Sequence, residues 1–286
     1  MSGFVEIAVL LAAPLLLAAS GELLLERSGS IQIGLEGTML VGAYVAFAAG
    51  RAGLAPAAGL LVAGLAGLLA GLLFALFAVA RRADPILVGT VWNLLALGAT
   101  AFAYRLAAGD TGSVLEVATL PRGILGVPDA VAASFAVPVL LHAWLDRTRP
   151  GLRLTAAGEN PEALRSLGVS VVAVRSGGAA ASGVLGALGG AMLVLTVSPT
   201  FVEGVTAGRG FLALALVVFA RWKPLALLPG ALLLGGVTAL QYRLQAGGFG
   251  LPYAFFLALP GVVALAALGL ASSRGGAPKA LGSPAP

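Results

Sequence analysis

Long apolar runs, each closed by a few Gly, Pro or charged positions, set the rhythm of this chain. Runs of roughly 17 to 25 apolar residues, the length that crosses the hydrocarbon core of a bilayer, recur near 4–24, 32–50, 54–80, 85–105, 129–146, 176–197, 224–242 and 253–271. Each predicts a transmembrane α-helix. Residues 208–221 (GRGFLALALVVFAR) are shorter and predict a ninth crossing that is tilted or partly unwound. The expected fold class is therefore all-α, a polytopic transmembrane bundle of about nine crossings over residues 1–271. The Gly-, Pro- and Ser-rich segment 272–286 is expected to be a disordered tail. Residues 1–25 lack a basic leading region, carry Glu6 and Glu22 and run past signal-peptide length, so they read as a span and not as a cleavable leader.

The basic residues orient the bundle. With loop 147–175 (Arg147, Arg149, Arg153, Arg165, Arg175) cytoplasmic, nine alternating crossings bring Arg27, Arg81, Arg82, Arg221, Lys223, Arg274 and Lys279 to the same side. Only 5 of the 17 basic residues then lie opposite. That bias is the positive-inside pattern, and it predicts an N-terminus outside and a cytoplasmic C-terminus. Eight crossings would carry the tail and its two cations outward.

Composition removes several function classes. The chain is 59% hydrophobic and 10% charged with a mean hydropathy of +1.01, a balance no water-soluble globule covers with polar surface. A net charge of +5 would invite nucleic acid, but the cations sit between apolar runs, so membrane lipid is the expected contact and nucleic acid is not. The 41 glycines show no three-residue period and lie inside apolar runs, where small residues let spans approach closely. No cysteine is present, which excludes disulfides, thiol nucleophiles and Cys-ligated metal. His142 is the only histidine, and no Cys, Asp or Glu pattern at ligand spacing supports a metal site or a Ser-His-Asp arrangement around it. No metal site and no catalytic residue is expected. Residues 106–128 form the longest extracytoplasmic segment, with an apolar middle suited to the interface.

Against this background the polar stretch TAAGENPEALRSLGVS (155–170) stands out. Asn160 suits an N-cap, Pro161 the first helical position and Glu162 the positive end of the helix dipole, while Gly168 supplies a stop. The pattern predicts a helix over about 161–167. Two turns are marginal alone in water, so Ala163, Leu164 and Leu167, on one face, are expected to provide a contact. Either the helix rests on lipid headgroups or it docks into a cytoplasmic partner and transmits force.

Other polar residues lie within apolar runs. Glu36, between Gly34 and Gly37, is a functional candidate by its depth or a helix-start carboxylate paired with Arg27. Asn93, beside Thr90 and Trp92, either bonds a neighbouring helix or faces a translocation path; Glu36, Thr90 and Asn93 are the pathway candidates. Glu203, Thr206 and Arg209 form a cluster that shapes an outer gate or pairs within itself. Gln241, Tyr242 and Arg243 read as interfacial anchors. A faint echo links GLEGTMLVG (34–42) with FVEGVTAGRG (201–210), in the manner of inverted-repeat transporters.

Three runs, IQIGLEGTMLVGAY (31–44), GLRLTAAGENPEALRSLGVSVVAVR (151–175) and FVEGVTAGRGFLALALVVFARWKPL (201–225), resemble the permease subunits of bacterial ABC importers. That family includes branched-chain amino acid, ribose and nucleoside permeases, and the likeness is nearest to the nucleoside and simple-sugar branch. Gln32, Thr38 and Val205 depart from its pattern, while Asn93 is retained. The resemblance implies that loop 151–175 holds a coupling helix, with Gly158, Glu159, Asn160, Pro161, Glu162, Ala163, Leu164, Leu167 and Gly168 at the contact with a separate ATPase. It also implies a second permease, identical or homologous, an extracytoplasmic substrate-binding protein and a bacterial plasma-membrane location. The cargo implied is a nucleoside or simple sugar, ahead of a branched-chain amino acid.

No G-x-x-x-x-G-K-[ST] occurs, since Lys stands only at 223 and 279. ATP and Mg are therefore expected on the partner, with no cofactor and no enzyme activity in this chain. The rivals are an ion-coupled secondary transporter, which wants ionisable residues and broken helices at the midplane, a membrane-embedded enzyme and a structural scaffold.

Overall fold

The computed structural model describes residues 2–108, 115–123, 126–247, 253–271 and 276–283. Two helices, α1 (Ser2–Arg27) and α8 (Val171–Met192), form its axis. They run antiparallel: Gly189 of α8 faces Pro14 and Ala18, Ser182 faces Gly21, and Gly178 faces Leu24 and Leu25. Around them stand α2 (Leu35–Arg51), α3 (Pro56–Phe74), α4 (Pro85–Ala108), α5 (Asp129–Arg147), α9 (Arg209–Phe219), α10 (Leu227–Ala246) and α11 (Tyr253–Ala271). Two short helices, α6 (Arg149–Glu159) and α7 (Pro161–Ser166), fill the loop between α5 and α8. The ends of α3 and α8 continue as π-helical turns, Ala75–Ala80 and Leu193–Val197. No β-strand occurs among the described residues, and the all-α expectation holds.

Among the described residues, six helical stretches are long and apolar enough to cross a membrane: Gly3–Arg27, Pro56–Ala80, Pro85–Ala108, Asp129–Arg147, Val171–Val197 and Pro224–Ala246. Helix α2 has 17 residues and α9 has 11, while α11 has 19. Large apolar side chains on the outer helices face outward, as with Leu94, Phe102 and Leu106 of α4 and Leu265 of α11. That is the surface hydrocarbon wets. The interior instead packs α1 against α9 and α10 through Leu15, Leu16, Leu23, Leu216, Leu227 and Leu234.

Local chemistry fixes several helix starts. Asp84 Oδ1 accepts the Ile86 and Leu87 amides at the head of α4 (2.8 and 3.2 Å), and Ser170 Oγ accepts the Ala173 amide at the head of α8 (3.2 Å). Glycine sets the packing distance of α8. A Cβ on Gly67 of α3 would collide with the carbonyl of Gly183, and one on Gly190 with the carbonyl of Met39 in α2. Backbones in contact at that range exclude any larger residue.

The packing pattern repeats. Helix α8 packs against α2 and α3, and α1 packs against α9 and α10; α2 also touches α4, as α9 touches α11. The four helices α1–α4 and the four helices α8–α11 thus make matching sets of contacts about an antiparallel central pair.

The segment 115–123 lies across the end of the molecule away from α6 and α7. There the Val117 and Leu120 amides donate to Pro199 O and Leu195 O (2.8 and 2.9 Å), and Val117 is buried with Phe47 and Phe201. Expected residues 109–114, 124 and 125 of this loop lie outside the described residues. At the opposite end, residues 276–283 follow the surface of α6. Composition alone led us to expect a disordered tail at 272–286, yet the Ala280 amide donates to Gly158 O (2.8 Å), the Gly282 amide to Gly29 O (3.1 Å) and Arg175 Nη1 to Ser283 O (2.7 Å). The carbonyls of Gly158 in α6 and Gly29 after α1, with the Arg175 guanidinium, supply partners that the tail's own composition does not reveal.

Candidate functional site

The loop between α5 and α8 contains the expected helix. Asn160 Oδ1 accepts the Ala163 amide (3.1 Å), Pro161 occupies the first turn, and Gly168, at φ 76°, ends the segment as its amide donates to Arg165 O (2.9 Å). A second helix, α6, precedes it, with Thr148 Oγ1 accepting the Gly151 amide (3.2 Å). The Thr148 cap, Pro150 in the first turn and the Leu154/Ala157 spacing are its signals in the sequence.

One expectation needs correction. Ala163, Leu164 and Leu167 do not form one contact face. Leu164 is 4% exposed and packs among Leu25, Phe74, Ala78, Ala157 and Val171, whereas Leu167 is 78% exposed and Ala163 is exposed as well. The reason is length: α7 ends at Ser166, so Leu167 leaves the helical path before it can stack on Leu164. The loop is thereby tethered to the ends of α1, α3 and α8 through Leu164, and to α1 through Gly158, which is so close to the Arg27 carbonyl that a Cβ would collide with it. Glu159, Asn160, Glu162 and Leu167 remain exposed.

Deeper in the bundle, the starts of α2 and α9 meet at Glu36. Its Oε1 accepts Thr206 Oγ1 (2.6 Å) and the Gly208 amide (2.8 Å), and its Oε2 accepts the Gly210 amide (2.6 Å). A carboxylate thus answers the free amides at the positive end of α9. Its partners are these groups and not Arg27. Asn93 serves α2 in the same way: Oδ1 accepts the Gly37 amide (2.7 Å) and Nδ2 donates to Ile33 O (3.0 Å). Of the two roles open to Asn93, bonding a neighbouring helix is the one seen. Thr90 is not gathered with them. It is exposed on α4, and its hydroxyl donates to Ile86 O of its own helix (2.8 Å).

Two buried carboxylates had no role in the sequence reading. Glu22 accepts the Gln32 amide (2.8 Å) and Ser182 Oγ (3.1 Å), and Glu26 accepts Trp222 Nε1 (2.5 Å). Gln32 Nε2 and Trp92 Nε1 both donate to Thr38 Oγ1 (3.3 and 3.1 Å). The result is a polar seam through α1, α2, α4 and α8. Its signal was the i, i+4 spacing of two acids in an apolar helix.

At the end away from α7, the loop 198–208 encloses a cavity of about 450 Å3 with α9, α10 and α11. In the expected Glu203–Thr206–Arg209 cluster the side chains do not pair with one another. Glu203 receives Arg105 Nε and Nη2 (2.6 and 2.9 Å), hydrogen bonds that hold its carboxyl below the usual carboxylate range. Arg209 donates to Val205 O, Thr206 O and Tyr242 Oη (each 3.2 Å). Gln241 and Tyr242, read from sequence as interfacial anchors, line this cavity. No group of three or more potential metal-ligating side chains occurs among the described residues.

Comparison with known proteins places this geometry among relatives. The family described as branched-chain amino acid transport system, permease component, matches residues 4–268. The guanosine ABC transporter permease protein NupQ of Bacillus subtilis is 34% identical over 296 residues, covering 96% of this chain and 93% of NupQ. The nucleoside ABC transporter permease protein NupC of Lactococcus lactis is 34% identical over 239 residues, 78% of this chain and 75% of NupC.

Proposed function

The chain belongs to the family of branched-chain amino acid transport system permease components, and from that premise we propose that it is the membrane subunit of an ATP-driven importer carrying a nucleoside or a simple sugar by alternating access. A nucleoside is preferred, because the two relatives are by name guanosine and nucleoside permeases. The host membrane is the bacterial plasma membrane. ATP and Mg belong to a separate ATPase that docks on the α6–α7 loop, a second permease completes the pathway, and a binding protein delivers cargo at the far end.

The observation that carries this reading is the form of the loop. Helix α7 is capped, tied through Leu164 to the ends of α1, α3 and α8, and presents Leu167 uncovered. A push on α7 would reach α8 directly. That 22-residue helix, about 33 Å long at 1.5 Å per residue, ends at the cavity wall. Counting α2, α9 and α11 with the six long stretches gives nine crossings, and with that count the positive-inside pattern supports a cytoplasmic loop on the side of most of the cations.

The test is co-purification with the ATPase, followed by ATP-driven uptake in proteoliposomes. Leu167→Asp is expected to release the ATPase or to lower uptake by about tenfold or more, the scale of a lost interface anchor, while the spans stay folded. An intact complex with unchanged uptake overturns the coupling role. Leu164→Asp is unsuitable, since it would bury a charge. Ion-coupled transport is the second reading, favoured by the buried Glu22 and Glu26 and by the interrupted helices before α2 and α9. Uptake that persists with ATP after ion gradients are collapsed supports the importer; uptake lost with the gradients supports the alternative.

A further inference from the structure

The cavity at the far end holds a buried polar group with no assigned work. Gln241 is 3% exposed and lines the cavity, and its carboxamide makes no side-chain hydrogen bond among the described residues. An amide carries two donor hydrogens and an acceptor oxygen, and buried groups of this kind are nearly always paired. The charged groups of the cavity already have partners. Both Glu203 oxygens are taken by Arg105, and the Arg209 guanidinium is spread over two backbone carbonyls and the Tyr242 hydroxyl. Thr238 Oγ1 gives its proton to Leu234 O (2.8 Å), which leaves its lone pairs free to accept. Tyr242, accepting from Arg209, keeps its own proton to donate.

We infer that this cavity is a substrate seat for an uncharged ligand that both donates and accepts hydrogen bonds, a nucleoside, and that Gln241 is the residue that reads it. The inference rests on the importer reading and deepens it. A volume of about 450 Å3 falls in the range of small-molecule sites, which combine apolar walls with a few placed polar groups. Here Leu257 and Pro260 of α11 supply apolar wall for a flat ring, and Thr238, Gln241 and Tyr242 supply the edge contacts. The Arg105–Glu203 pair is self-neutralising, while Arg209 keeps its charge with its engaged N–H groups given to neutral acceptors, so it is the one attraction for an anion and the monophosphate competitor tests it. The location also suits transport. One wall of the cavity is the π-helical end of α8, and another is the 203–209 segment whose hydroxyl and amides Glu36 holds, so a ligand seated there touches the far end of the helix that begins beside α7.

The experiment measures equilibrium binding of labelled guanosine to the complete permease–ATPase complex in nanodiscs, with cytidine, ribose and guanosine monophosphate as competitors. Gln241→Ala is expected to weaken guanosine binding by about tenfold, the order of one lost hydrogen bond group in a closed site. Gln241→Glu is expected to change the order of preference among guanosine, cytidine and ribose, a readout that a purely structural role would not move. The lipid-facing Leu265→Ala should bind as the parent does.

Because this chain has no cysteine, Gln241→Cys places its single thiol in the cavity, and guanosine should slow its alkylation several-fold even if affinity has dropped. If the parent complex binds none of the probes, the nucleoside and sugar reading fails and this inference falls with it. If the parent binds guanosine but the Gln241 variants keep its affinity and preference, or guanosine gives no protection, only this inference is overturned. Competition by the monophosphate equal to that of guanosine overturns the uncharged class.

Discussion

The dipeptide Glu-Gly occurs at 36–37 and again at 203–204, in stretches that echo one another in sequence, and the two acids do unlike work. Glu36 lies in the first turn of α2, half-buried, and gathers the hydroxyl of Thr206 and the amides of Gly208 and Gly210. Glu203 lies six residues before α9 begins at Arg209, at the exposed end of the molecule, and forms a two-point pair with Arg105. The helices around them repeat their contacts: α8 takes α2 and α3 as α1 takes α9 and α10. An architecture can therefore recur while the chemistry placed on it diverges. What decides a carboxylate's role is its distance from a helix start.

The sharpest way to break this comparison is Glu36→Ala. It leaves three donors unpaired in the bundle, and the expected loss is about 3 kcal/mol or more, seen as a lowered Tm in detergent together with loss of uptake. A Tm within a degree of the parent would mean that the helix starts are held by something else. Asn93→Ala comes next. It strips the corresponding support from α2 by removing two hydrogen bonds, with an expected cost of about 2 kcal/mol and the same Tm assay as its check. Glu36→Gln should fall between the parent and Glu36→Ala, because an amide can still accept.

The smallest effect is expected at the exposed acid. Glu203→Gln should leave Tm nearly unchanged at neutral pH, as exposed ion pairs contribute little. The sign of its pH dependence follows from a carboxyl held below its ordinary range by Arg105. The pair contributes fully at and above the ordinary carboxylate range and fades only as pH falls beneath it. A Tm series from pH 7 to pH 3 on Glu203→Gln and on the parent should therefore converge at the acid end. Divergence there would contradict the assignment.

The legible parts of the chain were those written in local pattern. Apolar length predicted the long spans, and Asn160, Pro161 and Glu162 predicted α7 within a residue of its observed end. Asn93 drew attention because an amide in a span must bond something. The parts that were not legible depend on what comes alongside from elsewhere. Leu164 and Leu167 are alike in sequence, and only the approach of Phe74 and Val171 decides which is covered. Gln241 near the end of a span looks like an interfacial anchor until α11 and the 198–208 loop close over it. The roles of Glu22, which in the sequence speaks only against a cleavable leader, and of Glu26 are not legible there, because Ser182 and Trp222, their donors, come from distant stretches of the chain.

The grip on residues 276–283 has a consequence for how freely that segment can change. Each of the three bonds that hold it uses a main-chain group of the segment: the amides of Ala280 and Gly282 and the carbonyl of Ser283. None of these bonds reads a side chain, so most substitutions leave the bonding groups in place; Gly282, at φ 76°, is a position where any side chain would strain the backbone, and Leu281 packs against the core. Proline at 280 or 282 would break the hold, because it has no amide hydrogen to offer the Gly158 or Gly29 carbonyl.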